Sequence, residues 1–363
     1  MNALRYLPFA RRVLRRSGPP VHLTLFVTGA CNLRCRHCFH WKEVAAGVAG
    51  PSALDVDRLA ASCAEMGPLL WVSFGGGEPF LREDLPELAR SFGVRGLRHL
   101  AIPTNGLVGR TEALTERMLI ENPETFLSIG VSIDGPADVH DEIRQVPGGH
   151  AKTLAATKRL LAMRERHANL GVGVILTVTA ENQAVLADHM EELVDELAPD
   201  NVTINLARTD ALDPTLLNVD LDRYHEVVER KRKLLGAGRL GYFRIPAARL
   251  ALARDDAMYE HVEAWARGDR SRHLPCTAAS ISAVVFENGD VRPCEVLGEE
   301  ASLGNLGDVE WDLSRLWTTE RADEVRRTIR ATRCACTWEC AQADNVLFRA
   351  RSWPKLLFGA ATS

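Results

Sequence analysis

The amino-acid sequence predicts an α/β fold: a partial (β/α)6 barrel of TIM type followed by a small cysteine-rich domain. Three observations carry that expectation. Between residues 21 and 208, short apolar runs alternate with stretches of helical periodicity, the pattern of βαβ units around a parallel sheet. Three thiols, Cys31, Cys35 and Cys38, follow directly on the first apolar run. Apart from Cys63 in a predicted helix, where a small core residue is expected, cysteines return only late, as Cys276, Cys294, Cys334, Cys336 and Cys340.

Taken in order, residues 1–20 set Leu4, Tyr6, Leu7, Phe9, Val13 and Leu14 among arginines, a basic amphipathic segment broken by Pro8. Packing on the domain is the plain reading; contact with a membrane surface or an anionic, lipid-linked substrate is the alternative. The barrel, 21–208, has predicted strands at 21–28, 69–74, 98–103, 126–133, 171–179 and 202–207. Helices are predicted between them at 54–66, 84–92, 112–120, 151–168 and 184–197. Residues 209–270 break the alternation and read as a helical linker, with one helix near 221–235, wrapping the open side of the barrel. In 271–345 an alternating run with the turn signal Asn288-Gly289 predicts a hairpin, and helices follow before Cys334. Residues 346–363 form a basic, apolar tail.

Composition narrows the function. The chain has 363 residues, 46% hydrophobic and 25% charged, enough for a barrel and an appended domain. A formal charge of −4 gives no reason to invoke nucleic acid, although both ends are basic. Nine cysteines in tight groups are not a secreted disulfide scaffold; thiols that hold a metal cluster imply a reducing, cytoplasmic setting, with membrane association as the variant that the basic ends allow. No apolar run approaches the roughly twenty residues of a membrane span.

A cubane cluster fully held by protein takes four thiolates, so three clustered cysteines leave one iron open. Chemistry in such barrels sits at the carboxyl ends of the strands, where each motif falls. The spacing Cys31-x3-Cys35-x2-Cys38 on a loop after a strand resembles the signature of radical S-adenosylmethionine (SAM) enzymes. One βα unit later, Gly75-Gly76-Gly77-Glu78-Pro79 resembles the Gly-Gly-Glu-Pro motif with which that family receives the amino group of SAM. The resemblance implies a [4Fe–4S] cluster on the three cysteines and SAM chelated to its open iron. Thr104, Asn105, Ser132, Asp134 and Arg144 match positions that line the SAM pocket, with Ser132 and Asp134 expected on the methionine carboxylate or ribose and Arg144 a weaker partner. His37 is expected to pack on the adenine, and Thr179 and Asn182 to lie near the pocket.

The order Cys276-x12-Gly289-x4-Cys294, then Cys334, Cys336 and Cys340, resembles the SPASM/twitch extension of the same family, which holds auxiliary [4Fe–4S] clusters. Five cysteines imply one auxiliary cluster, on Cys276, Cys294, Cys340 and either Cys334 or Cys336. A four-thiolate zinc site is the rival. Glu295, directly after Cys294, matches the place where relatives carry a base that takes a proton from the oxidised substrate. The resemblance thus implies an oxidoreductase-like enzyme that generates a 5′-deoxyadenosyl radical and draws electrons from a donor such as flavodoxin or ferredoxin. Its expected substrate is a small molecule, sugar or lipid-linked compound, because about thirty residues precede Cys31 and about twenty follow Cys340, too few for a fused leader-peptide domain. Modification or cross-linking of a ribosomal peptide or protein side chain is the alternative.

Overall fold

A computed structural model of the chain describes residues 18–45, 54–64, 66–208, 210–245 and 248–362, with Tyr6, Pro8, Phe9 and Arg12. The side chain of Cys63 and most of the amphipathic segment expected over 1–20 lie outside the described residues.

Six parallel strands form the barrel wall: β1 (His22–Thr28), β2 (Trp71–Gly76), β3 (His99–Thr104), β4 (Phe126–Ser132), β5 (Leu170–Val178) and β6 (Asn201–Leu206). They pair strictly with their sequence neighbours, so the wall is open between its first and last strands. Within the barrel the helices are α1 (Trp41–Ala45), α2 (Val56–Ala64), α3 (Leu85–Gly93), α4 (Thr111–Glu121), α5 (Ala137–Arg144), α6 (Gly149–Met163) and α7 (Leu186–Leu197). Five of the seven match predicted helices; α1 and α5 were not expected. Residues 137–144 read in the sequence as turn chemistry, and α5 forms because Pro136 pre-sets the chain at its N-cap and Ile143 finds a fully buried seat.

Strand alternation separates two surfaces. Leu23, Leu25 and Val27 of β1 face outward, almost wholly buried in the core cluster. Their neighbours His22, Thr24 and Phe26 face the lumen, as do Ser73 and Gly75 of β2, Ser128 and Gly130 of β4, and Thr203 and Asn205 of β6. Small and polar inward positions leave a cavity of about 500 Å3 along the barrel.

The sheet does not stop at residue 208. After α8 (Leu221–Gly236) and α9 (Ala248–Ala266), β7 (Ser282–Val285) pairs in parallel with the free edge of β1. The antiparallel β8 (Asp290–Arg292) and β9 (Gly304–Asn305) then complete a nine-stranded sheet, with the predicted hairpin at its edge. Next come α10 (Leu313–Trp317), α11 (Glu320–Ala331), α12 (Glu339–Phe348) and α13 (Trp353–Thr362). Helix α12 spans the open side: Glu339 accepts from Leu206 N at the carboxyl end of β6 (2.8 Å), and Asp344 bonds His22 at the amino end of β1 (2.8 Å). No described helix is long and apolar enough to cross a membrane.

One backbone clasp sets the height of the cysteine loop. Gly77 N donates to Thr28 O and Glu78 N to Ala30 O, both at 2.8 Å. The two chains lie so close that a Cβ on Gly77 would stand 2.0 Å from Ala30 O; one on Gly76, at φ +114°, would stand 2.3 Å from Thr28 O. Only glycine fits either place. Gly77→Ala is therefore expected to cost about 3 kcal/mol of overpacking strain and to displace the cysteine loop. Iron content after anaerobic reconstitution checks this; a wild-type iron content in the variant overturns it.

Candidate active site

Cys31, Cys35 and Cys38 line the carboxyl end of the cavity, beside Gly75, Gly76, Gly77 and Glu78. Two ties shape the loop from within: Cys38 N donates to Cys35 O (3.1 Å) and Leu33 N to Cys31 Sγ (3.4 Å). From outside, Arg36 N donates to Ile143 O of α5, and its guanidinium reaches Asp213, Glu142 and Glu181. Arg36 was not singled out in the sequence; an arginine between two ligand candidates carries no local signal of three acids brought from distant loops. Burial pushes the Cys35 thiol up to about 12 and the Cys38 thiol up to about 11. Among the described residues no three Cys, His, Asp or Glu side chains close on a single ion. Three thiols spread around the end of a cavity suit a cluster instead, because each thiolate of a cubane holds a different iron.

Glu78 is a hub. Its Oε1 accepts from Thr104 Oγ1 (2.8 Å) and Phe80 N (3.2 Å), and its Oε2 from Asn105 N (2.8 Å). Asn105 Nδ2 in turn donates to Asn32 Oδ1 in the cysteine loop (2.8 Å). Burial raises the Glu78 carboxyl above its ordinary range, and these hydrogen bonds and Arg144 act against the rise. Thr104 and Asn105 line the cavity, as does Ser132, but the side-chain oxygen of Thr104 is already spent on Glu78.

Asp134 lies one layer behind the wall. It is fully buried, and its Oδ2 accepts from Arg144 Nε (2.8 Å) and Nη2 (2.7 Å) while Oδ1 accepts from Thr177 N (3.0 Å). The order expected from sequence is thereby reversed: Arg144 faces the cavity and Asp134 holds it. Thr179 and Asn182 are also fully buried behind the wall, with Asn182 Nδ2 donating to Asp134 O. His37 does line the cavity. Burial lowers its pKa, against Asp134 at 3.8 Å, and its Nδ1 is enclosed without a hydrogen-bond partner, a polar atom left for a ligand.

Of the second cysteine group, Cys340 alone lines the same cavity. Cys276 and Cys334 are in thiol contact, and both pack with buried Cys294 against Val325 and Ile329 of α11. Cys340 stands differently. Its exposed surface faces the cavity, not the outer surface, and burial deep in the protein pushes its thiol up to about 12. Glu295 shares that wall, its carboxyl raised by burial. Phe39, next to Cys38, meets Trp338 edge-on at 4.8 Å, so an aromatic pair joins the two cysteine groups.

His22 Nδ1 pairs with the Asp344 carboxylate at 2.8 Å. Burial lowers the imidazole pKa, but Asp344 outweighs it and the net shift is upward. The pair therefore stabilises the fold fully below the ordinary imidazole value of about 6.5, and that contribution fades as pH rises through the folded-state value. Asp344→Asn should lower the unfolding temperature more in acid than in mild alkali. Thermal unfolding across pH checks it, and a loss that grows with pH overturns it.

Comparison with known proteins matches residues 25–193 to the Radical SAM superfamily and residues 276–341 to an iron–sulfur cluster-binding domain, SPASM. The pre-heme d1 synthase of Dinoroseobacter shibae is 28% identical, over 95% of this chain and 86% of that protein. The antilisterial bacteriocin subtilosin biosynthesis protein AlbA of Bacillus subtilis is 25% identical over 79% of this chain, which spans 57% of AlbA. The structure of native anSMEcpe with bound AdoMet and Cp18Cys peptide superposes with a TM-score of 0.60 at 18% identity, covering 95% of this chain and 99% of that one, a likeness of fold. Both matched segments coincide with the two cysteine groups, and the chain belongs to the radical SAM superfamily: it is an enzyme of a [4Fe–4S] cluster and S-adenosylmethionine with a SPASM iron–sulfur domain.

Proposed function

We propose that this enzyme removes hydrogen from a side chain or backbone carbon of a peptide bound along the barrel lumen, and that the substrate is oxidised there. The charge of the lining carries this reading. Glu78, Asp255, Glu295, Glu339 and Asp344 face the cavity against Arg144, Arg208 and Arg254. Arg144, Arg208 and Arg254 are each already paired, with Asp134, Glu339 and Asp255. A ligand with four or more carboxylates would meet a wall with more acids than bases, whereas a mostly neutral peptide segment meets small polar groups. The short flanks of the cysteine groups weighed for a small molecule in the sequence; the lining and the likeness to a bacteriocin biosynthesis protein weigh more for the peptide. A tetrapyrrole is the second reading, favoured by the 86% coverage of pre-heme d1 synthase.

In this reading Cys31, Cys35 and Cys38 hold the SAM-binding cluster and Arg144, held by Asp134, presents its free edge to the carboxylate of SAM. Gly75–Gly77 and Glu78 would hold the methionine amino group, and His37 would pack on the adenine. Bound there, the cofactors supply a 5′-deoxyadenosyl radical and, in the SPASM domain, an acceptor for one electron. Cys276, Cys294 and Cys340 supply three of the auxiliary ligands, and the packing of Cys334 with Cys276 and Cys294 favours it over Cys336 as the fourth. Glu295, on the cavity wall near Cys340, is the candidate to take a proton from the oxidised group.

Cys35→Ala should abolish 5′-deoxyadenosine in reduced, reconstituted protein. Wild type should hold about eight irons, and the triple Cys31, Cys35, Cys38→Ala variant about four; equal iron in the two overturns the ligand assignment. For the substrate, wild-type enzyme with SAM and dithionite is incubated with a random peptide library and, separately, with iron coproporphyrin. Peptides that lose two hydrogens, with coproporphyrin unchanged, support the proposal. Coproporphyrin turnover without any peptide product overturns it in favour of the tetrapyrrole.

A further inference from the structure

The cavity runs well past the cysteine loop. It continues down the lumen to the amino ends of the strands, where His22 and Trp71, the first residues of β1 and β2, still line it. With seven residues in β1, the two ends stand about 20 Å apart at about 3.3 Å per residue. In barrels of this kind the amino end is ordinarily closed by packed side chains. Here it holds an arginine and a histidine, each with one ring or guanidinium nitrogen left free among the described residues.

Arg254, on α9, donates from Nε and Nη2 to Asp255 Oδ1 at 2.9 and 2.5 Å, and the Tyr242 hydroxyl donates to Asp255 Oδ2 at 2.8 Å. The guanidinium lies 5.6 Å from the Trp71 ring, which is itself stacked on His99 at 5.3 Å. Its Nη1 has no hydrogen-bond partner among the described residues. His22 repeats the arrangement: Nδ1 bonds Asp344 at 2.8 Å, the residue is 9% exposed, and its Nε2 is enclosed without a partner. Around the imidazole stand Asp344, Glu295 and Arg254, with Trp71 edge-on at 6.3 Å. In both cases an aspartate fixes one side of a basic group and leaves one nitrogen unspent. Buried polar nitrogens are rarely left so, and an arginine held on one side by a carboxylate is preorganised to bind a second one on the other.

We propose that Arg254 and His22, backed by Asp255 and Asp344, form a second binding subsite at the amino end of the barrel, which holds a carboxylate of the substrate about 20 Å from the cysteine loop. This rests on the reading of the lumen as the path of the substrate. Arg254 lies between the two segments that match known families, so neither match assigns it. The subsite makes the enzyme a reader of length: a substrate anchored here meets SAM bound at the cysteine loop only if it extends through most of the intervening lumen, somewhat less than about six residues of extended peptide. The carboxylate would come from a peptide terminus or acidic side chain, or from one tetrapyrrole propionate.

The test uses reconstituted holoenzyme with SAM and two small probes, propionate and the neutral N-acetylglycinamide. Crystals soaked in propionate should show the carboxylate on Arg254 Nη1. By ligand-observed NMR, Arg254→Met should raise the propionate Kd about ten- to hundredfold, with Arg254→Lys between the two, and iron content confirming that each variant folds. Propionate absent from Arg254, an unchanged Kd in Arg254→Met, or equal binding of the amide overturns the carboxylate subsite. Turnover separates it from the peptide reading. If coproporphyrin alone is converted and Arg254→Met raises its KM, the peptide reading fails and the subsite stands. If peptides are converted with an unchanged KM in Arg254→Met, the peptide reading stands and the subsite fails.

Discussion

Everything at the carboxyl end of this barrel depends on the clasp between two backbones, Thr28–Ala30 before the cysteine loop and Gly76–Glu78 after β2. Two amide hydrogen bonds at 2.8 Å and two positions that tolerate no side chain hold the strands' ends in contact. The clasp sets the cysteine loop against the glycine turn before any cofactor arrives. Glu78 then extends it: its carboxylate gathers Thr104 and Asn105, and Asn105 reaches back to Asn32. The loop is thus tied at both ends to neighbouring strands. A glutamate that reads as a ligand residue is also the keystone of the wall, its burial made tolerable by three donors.

A second layer follows the same logic. Arg144 and Arg254 present a cationic edge to the cavity, and His22 an imidazole nitrogen, while an aspartate holds each from behind. Backing of this kind lowers the cost of burying the cation and restricts its rotamers, so that a ligand need not order the side chain on binding. The arrangement recurs at both ends of the lumen.

Enclosure comes from the chain beyond the barrel. Strand β7 extends the sheet from β1, and α12 bridges from Leu206 to His22 across the open side. The same helix carries Cys340 and Asp344 into the cavity wall. The SPASM domain therefore forms part of the reaction chamber, and Phe39 against Trp338 brings the residues beside the two cysteine groups into direct contact.

The sequence by itself determined the strands, the parallel order and the chemistry of the first cysteine group. Strands β1 to β6 fall within about two residues of their expected ends, because alternation and periodicity are local properties. Cys31, Cys35 and Cys38 and the glycine turn were legible because their short spacings resemble the signature motifs of radical SAM enzymes. Only the tertiary structure decided which partner a side chain spends itself on. Asp134 reads as a pocket residue until Arg144 and Thr177 N are seen to occupy it, and Arg254 and Asp255 read as part of a linker and His22 as a strand start until the lumen brings them together. A residue's type sets the bonds it can make; which of them remain free for a ligand is settled by neighbours that the fold brings together, 10 positions apart for Asp134 and Arg144 and 322 apart for His22 and Asp344.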